Sequence, residues 1–255
     1  MHDPNRLQNR LLICIGLGGI CEGYLPHVLL LHATGIVRFS RILLVDGDSF
    51  EERNRNRQFF NEPRGKAEER CTTWGALYPE VPLRYLSRYV DQRNVAEIVV
   101  DDSIVLLSPD NHPTRKIVSD HAEILDNILL ITGSNDAINE QRGLDGTDGQ
   151  VIVHWRTDGQ NRTAPMTWHH EEIARPDGRL PAELSCGEMA QVYPQLLSTN
   201  LLVGHGMVQM LMRYVLISLR TAVAIVELGV NSREGTMVPY GIHERPLVPN
   251  VTLSQ

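Results

Sequence analysis

Fixed charge collects directly after an apolar run in VDGDSFEERNRNRQ, residues 45–58. Asp46 closes the run Arg41-Ile42-Leu43-Leu44-Val45, and Asp48, Asn54, Arg57 and Gln58 follow within a dozen residues. A carboxylate at the end of the second strand of a nucleotide-binding unit accepts hydrogen bonds from ribose hydroxyls. Asp46 also reads as a simple turn aspartate in Asp46-Gly47-Asp48. A triphosphate wants a forked, permanently charged donor with amide donors beside it, and Arg57, Asn54 and Gln58 are of that kind. Composition alone would make the same loop a solvated charge run. Its position favours a ligand, because open α/β sheets bind ligands at the carboxyl ends of their strands.

Two further stretches bear on the same chemistry. Lys66 stands in Gly65-Lys66-Ala67 with no phosphate-loop pattern around it, so a surface lysine is the plain alternative. Asp110, in Ser108-Pro109-Asp110-Asn111-His112-Pro113, follows an apolar run and precedes a helix with proline in its first turn. It can cap that helix, or hold Mg²⁺ together with substrate phosphates.

These groups need elements to carry them. Leu11–Ile15 is a short, wholly apolar run, as in a strand buried on both faces. It enters the turn Gly16-Leu17-Gly18-Gly19, which would open helix amides to a phosphate or ribose, and a helix to about Ala33. Position 21 is Cys21 where the dinucleotide fingerprint has glycine; a side chain there would narrow the approach to a pyrophosphate and counts against NAD. Further strands are expected at Val99-Val100 with Ser103–Leu107, at Asn127–Thr132 and at Val151–Trp155, with helices over about 65–78 and after Asp110. Residues 134–150 read as a loop, 157–187 as a long exposed crossover, and Leu196–Leu219 as a buried core or dimer-interface helix. Val223–Leu228 and Met237–Tyr240 close the pattern as strands, antiparallel by expectation.

The expected class is α/β: a Rossmann-like, doubly wound, mostly parallel sheet with a long crossover loop and C-terminal antiparallel strands. Residues 1–135 form the nucleotide-binding part. Residues 136–255 form the crossover, the long helix and a substrate-facing part of the same domain. A net charge of -7 gives no general nucleic-acid footprint. The four cysteines, Cys14, Cys21, Cys71 and Cys186, form no C-x-x-C pair, so no zinc site is expected, and their scatter suits free thiols in a reducing compartment. The polar start Met1–Arg6 is not a secretory signal, and the 196–219 stretch carries His205 and Arg213, so a cytoplasmic protein without a membrane span is expected. His169-His170-Glu171-Glu172 suggests metal only weakly, since adjacent side chains diverge.

Taken together the motifs resemble the ThiF/MoeB/HesA family, the ubiquitin-activating-type adenylating enzymes. That pattern has a glycine turn, D-x-D-x-x-x-x-x-N-x-x-R-Q, a lysine and then D-N-x-x-x-R. Here it falls on Gly16, Gly18 and Gly19; on Asp46, Asp48, Asn54, Arg57 and Gln58; on Lys66; and on Asp110, Asn111 and Arg115. The resemblance covers about residues 11–135. It implies that ATP activates a carboxylate, commonly the C-terminal glycine of a small ubiquitin-like protein, with pyrophosphate leaving. Asp46 would hold the ribose. Asn54, Arg57 and Lys66 would face the phosphates, Gln58 would support their loop, and Asp110 would carry Mg²⁺. Cys186 stands about where some relatives carry an acyl-accepting cysteine, and an incidental thiol is its alternative. A homodimer is implied, with Arg6 or Arg10 as candidates for an arginine reaching across it. Other readings remain: the same fold adenylating a small carboxylate or an RNA base, an NAD-dependent oxidoreductase, and a catalytically silent binding module.

Overall fold

The computed structural model describes residues 7–55, 58–136, 138–139, 143–181, 195–216 and 224–243. Five short strands make the parallel half of one sheet: β1 (Arg10–Ile15), β2 (Phe39–Val45), β3 (Leu83–Leu86), β4 (Ser103–Leu107) and β5 (Ile128–Asn135). They lie in the order β3-β2-β1-β4-β5. Alternate residues of each strand point to opposite faces. Leu12 and Cys14 of β1 therefore join one apolar core, and Ile13 and Ile15 the other. That is why the central strands read as unbroken apolar runs.

Helices cover both faces. On one lie α1 (Gly19–Ala33) and α2 (Lys66–Leu77); on the other lie α3 (Val95–Ile98) and α4 (His112–Ala122). After β5 come the small hairpin β6 (Ile138–Asn139) and β7 (Leu144–Asp145), then β8 (Asp148–Thr157) and the short β9 (Gln160–Asn161). A turn of helix, α5 (Glu171–Ala174), precedes the long α6 (Leu197–Val215). Two strands, β10 (Ala224–Asn231) and β11 (Thr236–His243), finish the sheet, and β5, β8, β10 and β11 pair antiparallel in that order. The architecture is the expected mostly parallel, doubly wound α/β sheet with an antiparallel wing.

α6 is a core helix. Val203, Met207 and Leu211 are buried between the sheet and α1. The two helices meet at Gly23 and Gly204. A Cβ on Gly204 would overlap the Ile20 carbonyl oxygen and stand 2.7 Å from the Gly23 Cα; one on Gly23 would come 2.6 Å from the Leu201 carbonyl oxygen. Among the described residues no helix is long and apolar enough to cross a membrane.

Several local expectations are corrected. Val99-Val100 is not strand: Val99 N–H still bonds back to Val95 at the end of α3, and Asp102 turns the chain with φ 57° before β4 begins. Residues 134–150 are not one loop, because β5 runs on to Asn135 and β8 starts at Asp148. The crossover is not simply exposed over its described part, since Met166 and Ile173 are buried in the core beside Val118 and Ala122 of α4. β3 was not anticipated at all. Arg10 lies at the amino end of β1, paired with Asp102 at 3.0 Å, opposite the end where the glycine turn sits. Arg6 falls outside the described residues.

Candidate functional site

The carboxyl ends of β1, β2 and β4 lie side by side, with Ile15 between Val45 and Leu107. The chain leaves β1 toward β2 on one side and β4 toward β5 on the other, so this is the switch point where such sheets bind ligands. Gly16, at φ +82°, begins the turn after β1; a Cβ there would stand 2.6 Å from Ser108 C and Pro109 N. Only glycine lets the two loops touch. Ser108 fastens them, its N–H donating to Ile15 O and its hydroxyl to Gly16 O, both at 2.8 Å.

Asp46 is buried and ties the second loop to the first. Its Oδ2 accepts Leu17 N–H at 2.6 Å and its Oδ1 accepts Asp48 N–H at 2.8 Å. Burial pushes this carboxyl above its ordinary range, while Lys66 and the two amides pull it back. Lys66 is buried and donates from Nζ to Asp48 Oδ2 at 2.9 Å; the Tyr89 hydroxyl donates to the other Asp48 oxygen. Burial disfavours the ammonium charge, but the carboxylates of Asp46, Asp48 and Asp110 outweigh it and hold Lys66 above the ordinary lysine range. Lys66, on α2, thus feels the charge of Asp110 on the loop before α4. The chain has only two lysines; Lys116 lies on α4, paired with Asp120 at 2.7 Å.

The cap of α4 is Asn111, whose side chain accepts Thr114 N–H at 2.8 Å. Asp110 is exposed, and no hydrogen bond or ion pair holds its carboxylate among the described residues. The alternative role of Asp110 as cap is therefore taken by its neighbour. Arg115 is buried beneath this loop and donates to the Pro109 carbonyl at 2.6 Å; burial brings it down to about 10, leaving it charged at neutral pH.

Asn54 closes its own turn, its side-chain oxygen accepting Glu51 N–H at 2.9 Å. Gln58 is buried beside Gly18, where an added Cβ would meet nothing nearer than the Gln58 Nε2 at 3.8 Å. Gln58 Oε1 has no hydrogen-bond partner among the described residues. An open glycine face at a helix N-terminus, an unsatisfied amide and a charged lysine suit an anionic phosphate chain. The buried Asp46 carboxylate suits a hydroxyl donor. Asp110 offers one carboxylate, as Mg²⁺ bound partly by substrate phosphates requires. Arg57 and Cys186 lie outside the described residues.

Cys21 does not narrow the site: it is buried in the core under α1, and burial pushes its thiol up to about 12. The metal reading of residues 169–172 gives way to a tether. His170 lies 3.2 Å from Glu172 and 3.5 Å from Glu227, linking α5 to β10. Among the described residues no group of three or more His, Cys, Asp or Glu could hold a metal ion.

The sequence reading missed what holds the loop. Glu22 of α1 and Arg70 of α2 form an ion pair with side chains only 5% and 3% exposed. Glu22 accepts Phe59 N–H at 2.8 Å and Arg70 donates to Phe59 O, so both partners grip the residue after Gln58. Arg70 also covers the Phe50 ring at 4.9 Å, and Phe50 stacks on Phe60 at 4.6 Å. Burial raises the Glu22 carboxyl above its ordinary range, and Arg70 pulls it part of the way back.

A model described as the ThiF family matches residues 2–225. A curated relative, the SAMP-activating enzyme E1 of Haloferax volcanii, is 30% identical over 119 residues; the match spans 45% of this chain and 42% of that enzyme. E. coli MccB with MccA-N7isoASN superposes with a TM-score of 0.61 at 15% identity, over 95% of this chain and 67% of that one. E. coli MccB with ATP gives 0.59 at 15% identity, over 95% and 67%. PaaA gives 0.59 at 14% identity, over 94% and 66%. These likenesses to solved structures establish the fold.

Proposed function

The chain belongs to the ThiF family, and we propose that it adenylates the C-terminal carboxylate of a small ubiquitin-like protein of ThiS or MoaD type. One observation carries this reading: Lys66 pairs with Asp48 at 2.9 Å and Asp48 N–H bonds Asp46 at 2.8 Å, where the carboxyl ends of β1, β2 and β4 lie side by side. A buried ammonium paired with Asp48, beside the buried Asp46 carboxylate and with the exposed Asp110 on the β4 loop, suits a site that accepts a polyanion, a ribose and a divalent cation together. The name of the Haloferax volcanii relative adds support for a small-protein substrate.

In this reading Asp46 binds the ribose, and the amides of the glycine turn, Gln58 and Asn54 line the phosphates with Lys66 and Arg57. Bound Mg²⁺, held through Asp110, would neutralise charge on the phosphates. The substrate carboxylate oxygen bonds to the α-phosphorus while the bond to the bridging oxygen breaks, and pyrophosphate leaves with that electron pair. The side chains orient and neutralise, and no proton transfer is required of them. Transfer of the acyl group to Cys186 is the next proposed step, displacing AMP. The protein is read as a cytoplasmic homodimer.

ATP–pyrophosphate exchange tests the proposal. Exchange should depend on an added ubiquitin-like protein and be lost in Arg57→Ala and Asp110→Ala. Exchange supported equally by a small carboxylate would move the substrate assignment, and unchanged exchange in both variants would overturn the site. A thiol-sensitive adduct absent in Cys186→Ser would support the transfer step.

A further inference from the structure

We propose that Asn200 is a positioning residue for the nucleotide phosphates, acting through the backbone of Gly18 and Gly19. The inference rests on the nucleotide reading above and adds to the site a residue from the second half of the chain.

Asn200 stands in the first turn of α6, and its place is fixed. The neighbouring Thr199 hydroxyl donates to Gly146 O at 2.7 Å and lies 2.7 Å from the Ser232 hydroxyl. The Asn200 side chain is fully buried, and among the described residues neither its Oδ1 nor its Nδ2 has a hydrogen-bond partner. It presses on Gly19: a Cβ built there would overlap Nδ2 and stand 2.8 Å from Cγ. Gly18, the N-cap of α1, supplies no side-chain cap. The first amides of α1 therefore lack a protein acceptor of that kind beside a carboxamide that lacks partners of its own.

A buried carboxamide with both ends unsatisfied is unfavourable and rare. Leucine would fill the same space at no such cost. Gln58 repeats the arrangement at Gly18, with its own buried and unpartnered oxygen. Two carboxamides thus bracket the two glycines whose amides would meet a phosphate. Because Asn200 has no solvent access, it does not touch the ligand. It holds the Gly18–Gly19 peptides in the orientation that phosphate selects, closing hydrogen bonds to them as the ligand docks.

Asn200→Leu tests this with two readouts of opposite sign. Thermal unfolding without nucleotide should occur at or above the wild-type temperature. The calorimetric Kd for ATP should weaken by about ten-fold, the worth of a single hydrogen bond. In pyrophosphate exchange the KM for ATP should rise by a similar factor with kcat kept. Adenosine, which brings no phosphate, should bind both proteins alike. Asn200→Ala gives the same test if leucine is not accommodated: it removes the carboxamide and adds no bulk, so ATP affinity should fall while adenosine binding is kept. ATP binding at wild-type strength in either folded variant overturns the proposal. So does an equal loss of ATP and adenosine binding, which would mark a general structural role. Wild-type protein that binds no ATP would overturn the nucleotide reading and this inference with it.

Discussion

Two ion pairs lie within one loop's reach of each other and do opposite work. Glu22–Arg70 is closed to solvent on both sides, and each partner also bonds the backbone of Phe59. Lys66–Asp48 is closed only on the lysine side; the Asp48 side chain is 41% exposed, and two more carboxylates look at the same ammonium. The first pair holds a loop in place. The second keeps an excess of charge beside an opening. Solvent access and neighbouring charge, more than the type of salt bridge, separate an anchor from a binding group.

Breaking the closed pair should have the largest effect. Arg70→Ala leaves Glu22 buried without a counter-charge and frees the Phe59 carbonyl, so chemical denaturation should record a loss of about 3–5 kcal/mol. A loss under about 1 kcal/mol would mean that the anchor is not one. Lys66→Ala should cost less stability than Arg70→Ala, yet lower pyrophosphate exchange by about 10²–10³-fold, as removal of a preorganised charge does. Equal effects of the two variants on stability and on exchange would erase the distinction. Arg70→Lys sharpens it: the charge stays, but one ammonium cannot serve both Glu22 and Phe59 with the same fork, and about 1.5–3 kcal/mol of stability should go with the lost charge-assisted bond.

The smallest effect is in pH. Lys66 is held above the ordinary lysine value of 10.5 in the folded protein. A raised basic group stabilises fully below its unfolded pKa, and that contribution is lost as pH rises through the folded value. The melting-temperature difference between wild type and Lys66→Met should therefore be constant from about pH 7 to about pH 10 and shrink above 10.5. A difference that grows with pH would contradict the carboxylate cluster.

Much of the parallel half was legible because burial on both faces writes strands as apolar runs; Ile104–Leu107 and Ile128–Ile131 are all fully buried. β3 escaped because an edge strand of four residues, Leu83-Arg84-Tyr85-Leu86, buries only Leu83. Asp46, Lys66 and Asp110 could be named from spacing, since each follows a strand or opens a helix at the sheet's carboxyl end. The use made of their atoms could not: Asn111 rather than Asp110 caps α4, which depends on backbone angles. Glu22 and Arg70 were invisible because they are 48 residues apart, and each looks like an ordinary surface charge on its own helix. Asn200 was hidden among the apolar residues of a helix whose interest seemed to lie in its hydrophobicity.

The rarity of lysine has a practical outcome. Nearly all the cationic charge is arginine, so an acylating or alkylating reagent finds two side-chain amines, one shut away at residue 66, one on a helix surface at residue 116. A reagent arriving from bulk solution should modify the surface amine first, whereas one carried in on a nucleotide's own phosphate should modify the other. The ratio of the two products, read by peptide mass, then reports how the reagent was delivered.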